Sequence, residues 1–172
     1  MKQALIVIDI QNDYFPDGNY PLWNAEKTLS HTEAAIASAI KQEMMIIYVQ
    51  HIANPDKGAS PFFNQGTTGV KLHPRLIAAA PHAELIIKRH ADSFYQTNLD
   101  DLLQAQGIQE LFICGMMTQN CVTHTALSKS AEKYQLSILA DCCTTVDEMI
   151  HEIALGAISH RIALKQSTQA WF

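Results

Sequence analysis

Short apolar runs alternate with longer segments of helical periodicity along this chain. The first run, residues 4–8, contains no polar side chain and ends at Asp9. Strands that are apolar on both faces are typical of a parallel sheet covered by helices on each side. The alternation therefore predicts an α/β fold with three layers, α/β/α, around a six-stranded parallel sheet. The other five strands are predicted at residues 44–49, 85–87, 111–114, 136–140 and 162–164.

The segments between these runs carry the helix and loop signals. Apolar residues recur at helical spacing over residues 24–41, 99–106 and 146–159, and a further helix is predicted from residue 118 to about 134. Residues 51–71 instead hold several Pro, Gly and Asn residues, which predicts a long loop of a kind that often carries function. Because no repeat or linker interrupts the pattern, residues 1–172 are predicted to form a single domain.

Composition excludes several classes of function. A formal net charge of −5 argues against a nucleic-acid binder, which needs a basic face. No apolar run approaches the roughly 18 residues that cross a bilayer, and the N-terminus shows no signal-peptide pattern, so a cytoplasmic location without membrane contact is expected. The four cysteines show no Cys-x-x-Cys spacing, which favours reduced thiols over a disulfide framework.

A cysteine follows the fourth predicted strand at a suggestive position. Thr118 is a candidate helix N-cap, so Cys121 is predicted to lie in the first turn of the helix that follows. A helix N-terminus favours thiolate over thiol and lowers the pKa of a cysteine there. Two interpretations remain open at this point: an activated nucleophile, or a small buried core residue.

Three chemically complementary residues follow three different strands. Asp9 ends the first strand, Lys88 ends the third, and Cys121 follows the fourth. In open parallel sheets, ligands bind at the carboxyl ends of the strands, so these side chains are candidates for one site. A carboxylate can accept the thiol proton, an ammonium can stabilise the ionised pair, and a thiolate can attack a carbonyl carbon. Taken singly, the same residues also suit a turn, a solvated strand end and a core position.

Three segments resemble the isochorismatase-like cysteine hydrolases, a family that includes nicotinamidase and N-carbamoylsarcosine amidohydrolase. Residues 9–15 (DIQNDYF) resemble the aspartate motif that ends the first strand of the family. Residues 88–99 match its lysine motif, with Lys88 leading, and residues 115–126 match its cysteine motif Gly-x-x-Thr-x-x-Cys-Val. Residues 60–69 also resemble a loop of this family. The motifs occur in the family's order and span the chain.

The resemblance implies a fold and a set of catalytic groups. It implies a Rossmann-like sheet with strand order 3-2-1-4-5-6 and a homo-oligomer, either a dimer or a tetramer. It implies a catalytic triad of Asp9, Lys88 and Cys121, and a cis peptide bond between Met116 and Met117. The backbone N–H groups of Met117 and Cys121 would then form the oxyanion hole.

The chain departs from the nicotinamidase-like members at their metal site. Those members begin the site with Asp-x-His after the second strand, whereas this chain has Val49-Gln50-His51 and no further histidine before residue 73. We therefore predict no catalytic metal, and nicotinamidase activity itself is disfavoured. His51 is predicted to be either a substrate contact or a structural loop histidine. No glycine-rich phosphate-binding motif follows any predicted strand, so no cofactor is expected.

These observations favour a metal-independent cysteine hydrolase that cleaves a C–N bond of a small molecule through a thioester. The bond is expected to belong to an amide, a ureide or a carbamate. The alternative is a non-catalytic oligomeric module in which Cys121 senses oxidation, because that role needs the same activated thiol. The residues predicted to contact the substrate are Gln11, Phe15, His51, Phe62, Phe63, Gln119 and Asn120.

Overall fold

A computed structural model, which describes residues 1–171, contains a six-stranded sheet in which every neighbouring pair is parallel. The order β3-β2-β1-β4-β5-β6 confirms the predicted fold class and strand order. Each predicted strand is present within a few residues of its expected bounds. The strands are β1 (Gln3–Ile8), β2 (Met45–His51), β3 (Glu84–Lys88), β4 (Glu110–Met116), β5 (Gln135–Thr144) and β6 (Ala163–Lys165).

Helices cover both faces of this sheet. Right-handed crossovers place the helices before β3 on one face and those after β3 on the other. The predictions at residues 24–41, 99–106 and 146–159 are confirmed, while one short helix after the long loop was not predicted. None of the helices in residues 1–171 has the length and apolar character needed to span a bilayer. The helices are α1 (Ala25–Lys41), α2 (Pro74–Ala79), α3 (Leu99–Ala105), α4 (Thr123–Ala126) and α5 (Glu148–Ile158).

The helix predicted over residues 118–134 begins at the expected residue but ends early, after Ala126. The segment holds a wide π-type turn at Thr118–Val122, a single α-helical turn in α4, and a 3-10 turn at Lys129–Lys133. Thr118 does not cap a helix, because its hydroxyl lies 2.9 Å from Nδ1 of His151 on α5. Cys121 therefore lies in the first turn of a helical segment, residues 118–126, as predicted, but that segment is much shorter than expected.

Gly115 allows the two central strands to approach closely near their carboxyl ends. Its φ is +127°, and the pairing of β4 with β5 shifts register between Ile113 and Gly115. A Cβ at this position would lie 2.0 Å from the carbonyl oxygen of Ile8 on β1. The glycine thus brings the segment after β4 next to Asp9, which immediately follows Ile8.

Replacing Gly115 with alanine should destabilise the fold. The added methyl group collides with the backbone of β1, which cannot move aside without breaking the central pairing. We expect Gly115→Ala to lower the free energy of unfolding by about 2–4 kcal/mol, measured by urea denaturation.

Gly156 provides a matched control for this substitution. It lies inside α5, and no atom stands within 4 Å of the Cβ that alanine would add there. Gly156→Ala should therefore stabilise the protein by about 0.5–1 kcal/mol. Equal effects of the two substitutions would contradict the proposed role of Gly115.

Candidate active site

The three predicted catalytic residues lie together at the carboxyl edge of the sheet. Lys88 Nζ lies 2.8 Å from Oδ2 of Asp9 and 3.2 Å from Sγ of Cys121. The strand order reverses between β1 and β4, and such a switch point opens a crevice at the strand ends. Asp9 and Cys121 lie on the two sides of that switch point, and both side chains are buried.

The side chain of Lys88 reaches this point from a more distant strand. Strand β2 separates β3 from β1, and neighbouring strands are about 4.8 Å apart, so the lysine stem passes over β2. The side chains of Lys88 and Asp9 are both fully buried. Burial lowers the pKa of Lys88, but Asp9 and Cys121 more than offset this, and its pKa lies above the usual value. The ammonium is therefore charged, and it neutralises a carboxylate that has no access to water.

His51 adds a third neighbour to the ammonium. Its Nδ1 lies 3.0 Å from Lys88 Nζ, and the two residues are direct partners in the β2–β3 pairing. Burial, with a smaller contribution from Lys88, lowers the pKa of His51 to about 4. The imidazole is thus neutral at pH 7, and Nδ1 accepts a hydrogen bond from Lys88.

The expected low pKa of Cys121 is wrong. Burial and the neighbouring Asp9 carboxylate raise the pKa of the thiol to about 12, and Lys88 offsets this only in part. The sequence argument considered the helix N-terminus but not the burial of the sulfur beside a carboxylate. Cys121 is consequently a thiol in the resting site, with 4% of its surface exposed. It can become a nucleophile only if a neighbouring group takes its proton.

Asp9 is suited to take that proton. Its Oδ1 is buried and has no hydrogen-bond partner among residues 1–171. The backbone of Asp9 has a φ of +54°, and its N–H donates to the carbonyl oxygen of Val49. Aspartate tolerates this left-handed conformation better than most residues. The turn of the chain thus directs the carboxylate from the end of β1 towards the crevice.

The turn after β4 has the features that the resemblance implied. The peptide bond between Met116 and Met117 is cis, as expected. The N–H of Met117 donates no hydrogen bond to another group of residues 1–171. It is therefore free to bind an oxygen atom of a ligand.

The side chain of Gln11 binds the backbone of His51 and Val70, and it has no free N–H group for a ligand. Its Nε2 donates to the carbonyl oxygens of His51 and Val70, and its Oε1 accepts from the His51 N–H. Both amide hydrogens are thus used, which argues against the predicted substrate contact. Asp13, which sequence reasoning missed, anchors the loop in a similar way, because its Oδ2 accepts from the N–H of Phe63.

Aromatic residues pack on one side of the trio formed by Asp9, Lys88 and Cys121. Phe62 and Phe63 pack on Tyr14, with ring centroids 5.4 and 4.6 Å away, and Phe63 also lies 6.0 Å from His51. Phe15 packs instead on His73, the N-cap of α2, with ring centroids 4.3 Å apart and the rings tilted by 45°. The sequence analysis did not select Tyr14 as a candidate, although it lies within the aspartate motif of residues 9–15. Burial, together with Asp9 and Cys121, raises the pKa of its hydroxyl.

The last two predicted contacts, Gln119 and Asn120, lie in the turn before Cys121. Both are partly exposed, and the Oε1 of Gln119 has no partner in the part of the chain that the structure describes. Gln119 lines an apolar groove of about 340 Å³ between this turn and α5, a groove that none of the trio lines. Asn120 therefore remains the better candidate of the two for the crevice.

Comparison with known proteins identifies the family. Residues 3–170 match the Isochorismatase domain. The chain belongs to the isochorismatase family. It is 31% identical to YddQ, an isochorismatase family protein of Bacillus subtilis, over 99% of both chains. A nicotinamidase of Acinetobacter baylyi is 27% identical over 86% of this chain and 85% of that one.

A solved structure supports the same fold. N-carbamoylsarcosine amidase from Thermoplasma acidophilum superposes with a TM-score of 0.85, covers 100% of each chain and is 23% identical. The predicted family and the expectation that the chain is a hydrolase are thus confirmed.

The metal site of nicotinamidase-like members of the isochorismatase family does not fit these residues. One group in residues 1–171 has metal-ligand spacing: donor atoms of Asp9, His51 and Cys121 lie within 4.8 Å of one another. Lys88 Nζ lies about 3 Å from each of them, so its ammonium occupies the space between the donors. A divalent ion there would meet a buried like charge. Val49, at the aspartate position of the metal motif, is apolar and buried.

Removing the ammonium should leave an uncompensated charge in the interior. We expect Lys88→Met to lower the free energy of unfolding at pH 7 by about 3–5 kcal/mol, measured by urea denaturation, because the Asp9 carboxylate loses its partner. Adding Asp9→Asn should recover much of this loss, since the amide carries no charge. A double variant as unstable as Lys88→Met would contradict the ion-pair account.

Removing the carboxylate should make Cys121 easier to ionise. Asp9 raises the pKa of the thiol while Lys88 lowers it, so Asp9→Asn should shift the pH profile of Cys121 alkylation to lower pH. Lys88→Met should shift the profile to higher pH. The measurement is the rate of iodoacetamide labelling of the Cys121 peptide, followed by mass spectrometry. Coincident profiles for the three proteins would show that the charges do not act on this sulfur.

Proposed function

We propose that this protein is a metal-independent cysteine hydrolase that cleaves a C–N bond of a small molecule through a thioester. The catalytic residues would be Asp9, Lys88 and Cys121. The observation that carries the proposal is the buried ammonium of Lys88, held 2.8 Å from a carboxylate oxygen and 3.2 Å from a thiol sulfur. This arrangement couples a proton acceptor to a nucleophile without a bound metal.

In the first half-reaction, Asp9 accepts the proton of Cys121 as the sulfur attacks the carbonyl carbon of the substrate. The electron pair of the carbonyl bond moves onto its oxygen, which the N–H groups of Met117 and Cys121 bind. Two such donors contribute on the order of 3 kcal/mol each to stabilising the transition state. The intermediate collapses, the C–N bond breaks, and Asp9 returns its proton to the leaving nitrogen. The products of this stage are a thioester and an amine or ammonia.

In the second half-reaction, water hydrolyses the thioester. Asp9 removes a proton from the water as its oxygen attacks the acyl carbon, and the same proton then returns to the sulfur as the C–S bond breaks. Lys88 remains charged throughout. Its ammonium stabilises each negative charge as the charge passes between carboxylate and sulfur.

The class of substrate is proposed from the relatives. A nicotinamidase and an N-carbamoylsarcosine amidase are named for substrates with an amide or carbamoyl C–N bond. We therefore expect amides, ureides or carbamates, and the slight exposure of Cys121 favours small ones. The partly exposed ring of Phe62 suits a substrate with an apolar face, whereas Phe63, a predicted substrate contact, is fully buried. Nicotinamide is not expected to be the preferred substrate, because the metal-site aspartate is replaced by Val49.

The alternative of a redox-sensing cysteine receives less support. A sensor needs a thiolate that is exposed to oxidant, whereas the pKa of Cys121 is raised to about 12 and its sulfur is nearly buried. Wild-type protein treated with dilute hydrogen peroxide should therefore form sulfenic acid at Cys121 slowly.

The test is turnover of a panel of small amides, ureides and carbamates, followed by release of ammonia or amine. We expect Cys121→Ser to lower kcat/KM by at least about 10³-fold, because the nucleophile is lost. Cys143→Ala should retain activity, since that buried thiol donates a hydrogen bond to the carbonyl oxygen of Leu139 and contacts none of the three catalytic residues. A chelator should not change the rate. Hydroxylamine should divert the wild-type reaction to a hydroxamate, which reports the thioester.

Two results would overturn this proposal. Full turnover by Cys121→Ser would exclude the sulfur as nucleophile. Loss of turnover with chelator, restored by added zinc, would exclude metal independence.

A further inference from the structure

The ammonium of Lys88 has as many close neighbours as it has hydrogens. A lysine ammonium carries three N–H donors, and here Asp9 Oδ2, His51 Nδ1 and Cys121 Sγ lie 2.8, 3.0 and 3.2 Å from Nζ. The proposed mechanism uses only the first and the third of these neighbours. His51 therefore needs an explanation of its own.

The backbone of His51 is fixed on both sides. Its N–H donates to Oε1 of Gln11 at 2.8 Å, and its carbonyl oxygen accepts from Nε2 of the same side chain at 2.9 Å. The residue also pairs with Lys88 across the β2–β3 ladder. The side chain of Gln11 thus fixes the position of the His51 imidazole beside the side chain of Lys88.

The chemistry of the ring suits an acceptor. The low pKa of His51 keeps the imidazole neutral, so with the proton on Nε2 the lone pair of Nδ1 faces the ammonium. If only Asp9 and Cys121 were present, the carboxylate would attract the ammonium more strongly than a neutral thiol would. A third, uncharged acceptor within 4.8 Å of the other two holds Nζ where it can serve both groups.

We propose that His51 is a positioning residue that acts through Lys88, with Nδ1 holding the ammonium between Asp9 and Cys121. This inference rests on the proposed function and deepens it. It gives the histidine a role different from the substrate contact or loop histidine suggested by the sequence. It also explains why a histidine lies beside a site in which the positive charge comes from a lysine side chain.

The test compares two substitutions that differ in the acceptor. In asparagine, Oδ1 stands the same number of bonds from Cα as Nδ1 does in histidine, so His51→Asn keeps an acceptor near that place. His51→Leu fills similar space without one. We expect His51→Leu to lower kcat by about 10²-fold with little change in KM, because a misplaced group slows the chemical step. His51→Asn should recover most of that loss.

A second measurement separates positioning from a general structural role. In His51→Leu the ammonium is free to move towards Asp9, so the alkylation profile of Cys121 should shift to higher pH. The profile should return towards that of the wild type in His51→Asn. Urea midpoints for both variants check that each protein is folded, and His51→Ala replaces His51→Leu with the same expectations if the leucine variant does not fold.

The outcomes distinguish this inference from the proposed function. Wild-type kcat in His51→Leu, with Cys121→Ser inactive, would overturn the role of His51 and leave the cysteine mechanism intact. A raised KM at constant kcat in both His51 variants would also overturn it, because that result indicates a substrate contact. Loss of kcat in His51→Leu with recovery in His51→Asn would support the inference.

Discussion

The buried ion pair between Asp9 and Lys88 is the interaction on which the rest of this site depends. Two charges taken out of water are stable only if each compensates the other. Their distance of 2.8 Å joins the end of β1 to the end of β3 across an intervening strand. Cys121 and His51 are the other two close neighbours of the Lys88 ammonium. The position of a single nitrogen atom therefore links the electrostatics of the sheet edge to the reactivity of the sulfur.

The fold supplies the place where this ion pair can meet a nucleophile. The reversal of strand order between β1 and β4 opens the crevice, and Gly115 lets the two strands approach where a side chain would collide with Ile8. The wide turn after β4 then carries Cys121 towards the carboxylate. Burial keeps the sulfur protonated at rest, so in the proposed mechanism its reactivity depends on transfer of a proton to Asp9 and not on a preformed thiolate.

Local signals in the sequence were sufficient for the strands and for the three central residues. Apolar runs mark buried strands because a parallel sheet is covered on both faces, and the residue after each run lies at the ligand-binding edge. Two predictions failed for nonlocal reasons. Thr118 does not cap the helix as expected, because its hydroxyl contacts Nδ1 of His151 on α5. The pKa of Cys121 depends on desolvation, which periodicity does not reveal. The anchoring roles of Gln11 and Asp13 likewise involve partners far along the chain.

The segment directly after β1 contains Asp9 and also anchors the long loop of residues 51–71. Asn12 and Asp13 donate backbone N–H groups to the carbonyl oxygens of Lys71 and Gly69, while the Asp13 carboxylate holds Phe63. Residues 54–61 make no such backbone hydrogen bond to this segment and are mostly exposed, whereas Phe62 packs on Tyr14. That stretch can therefore lengthen or change its side chains without disturbing the proton acceptor. In the proposed mechanism, selectivity and reactivity are thus physically separable, and a library confined to residues 54–61 should alter the first while preserving the second.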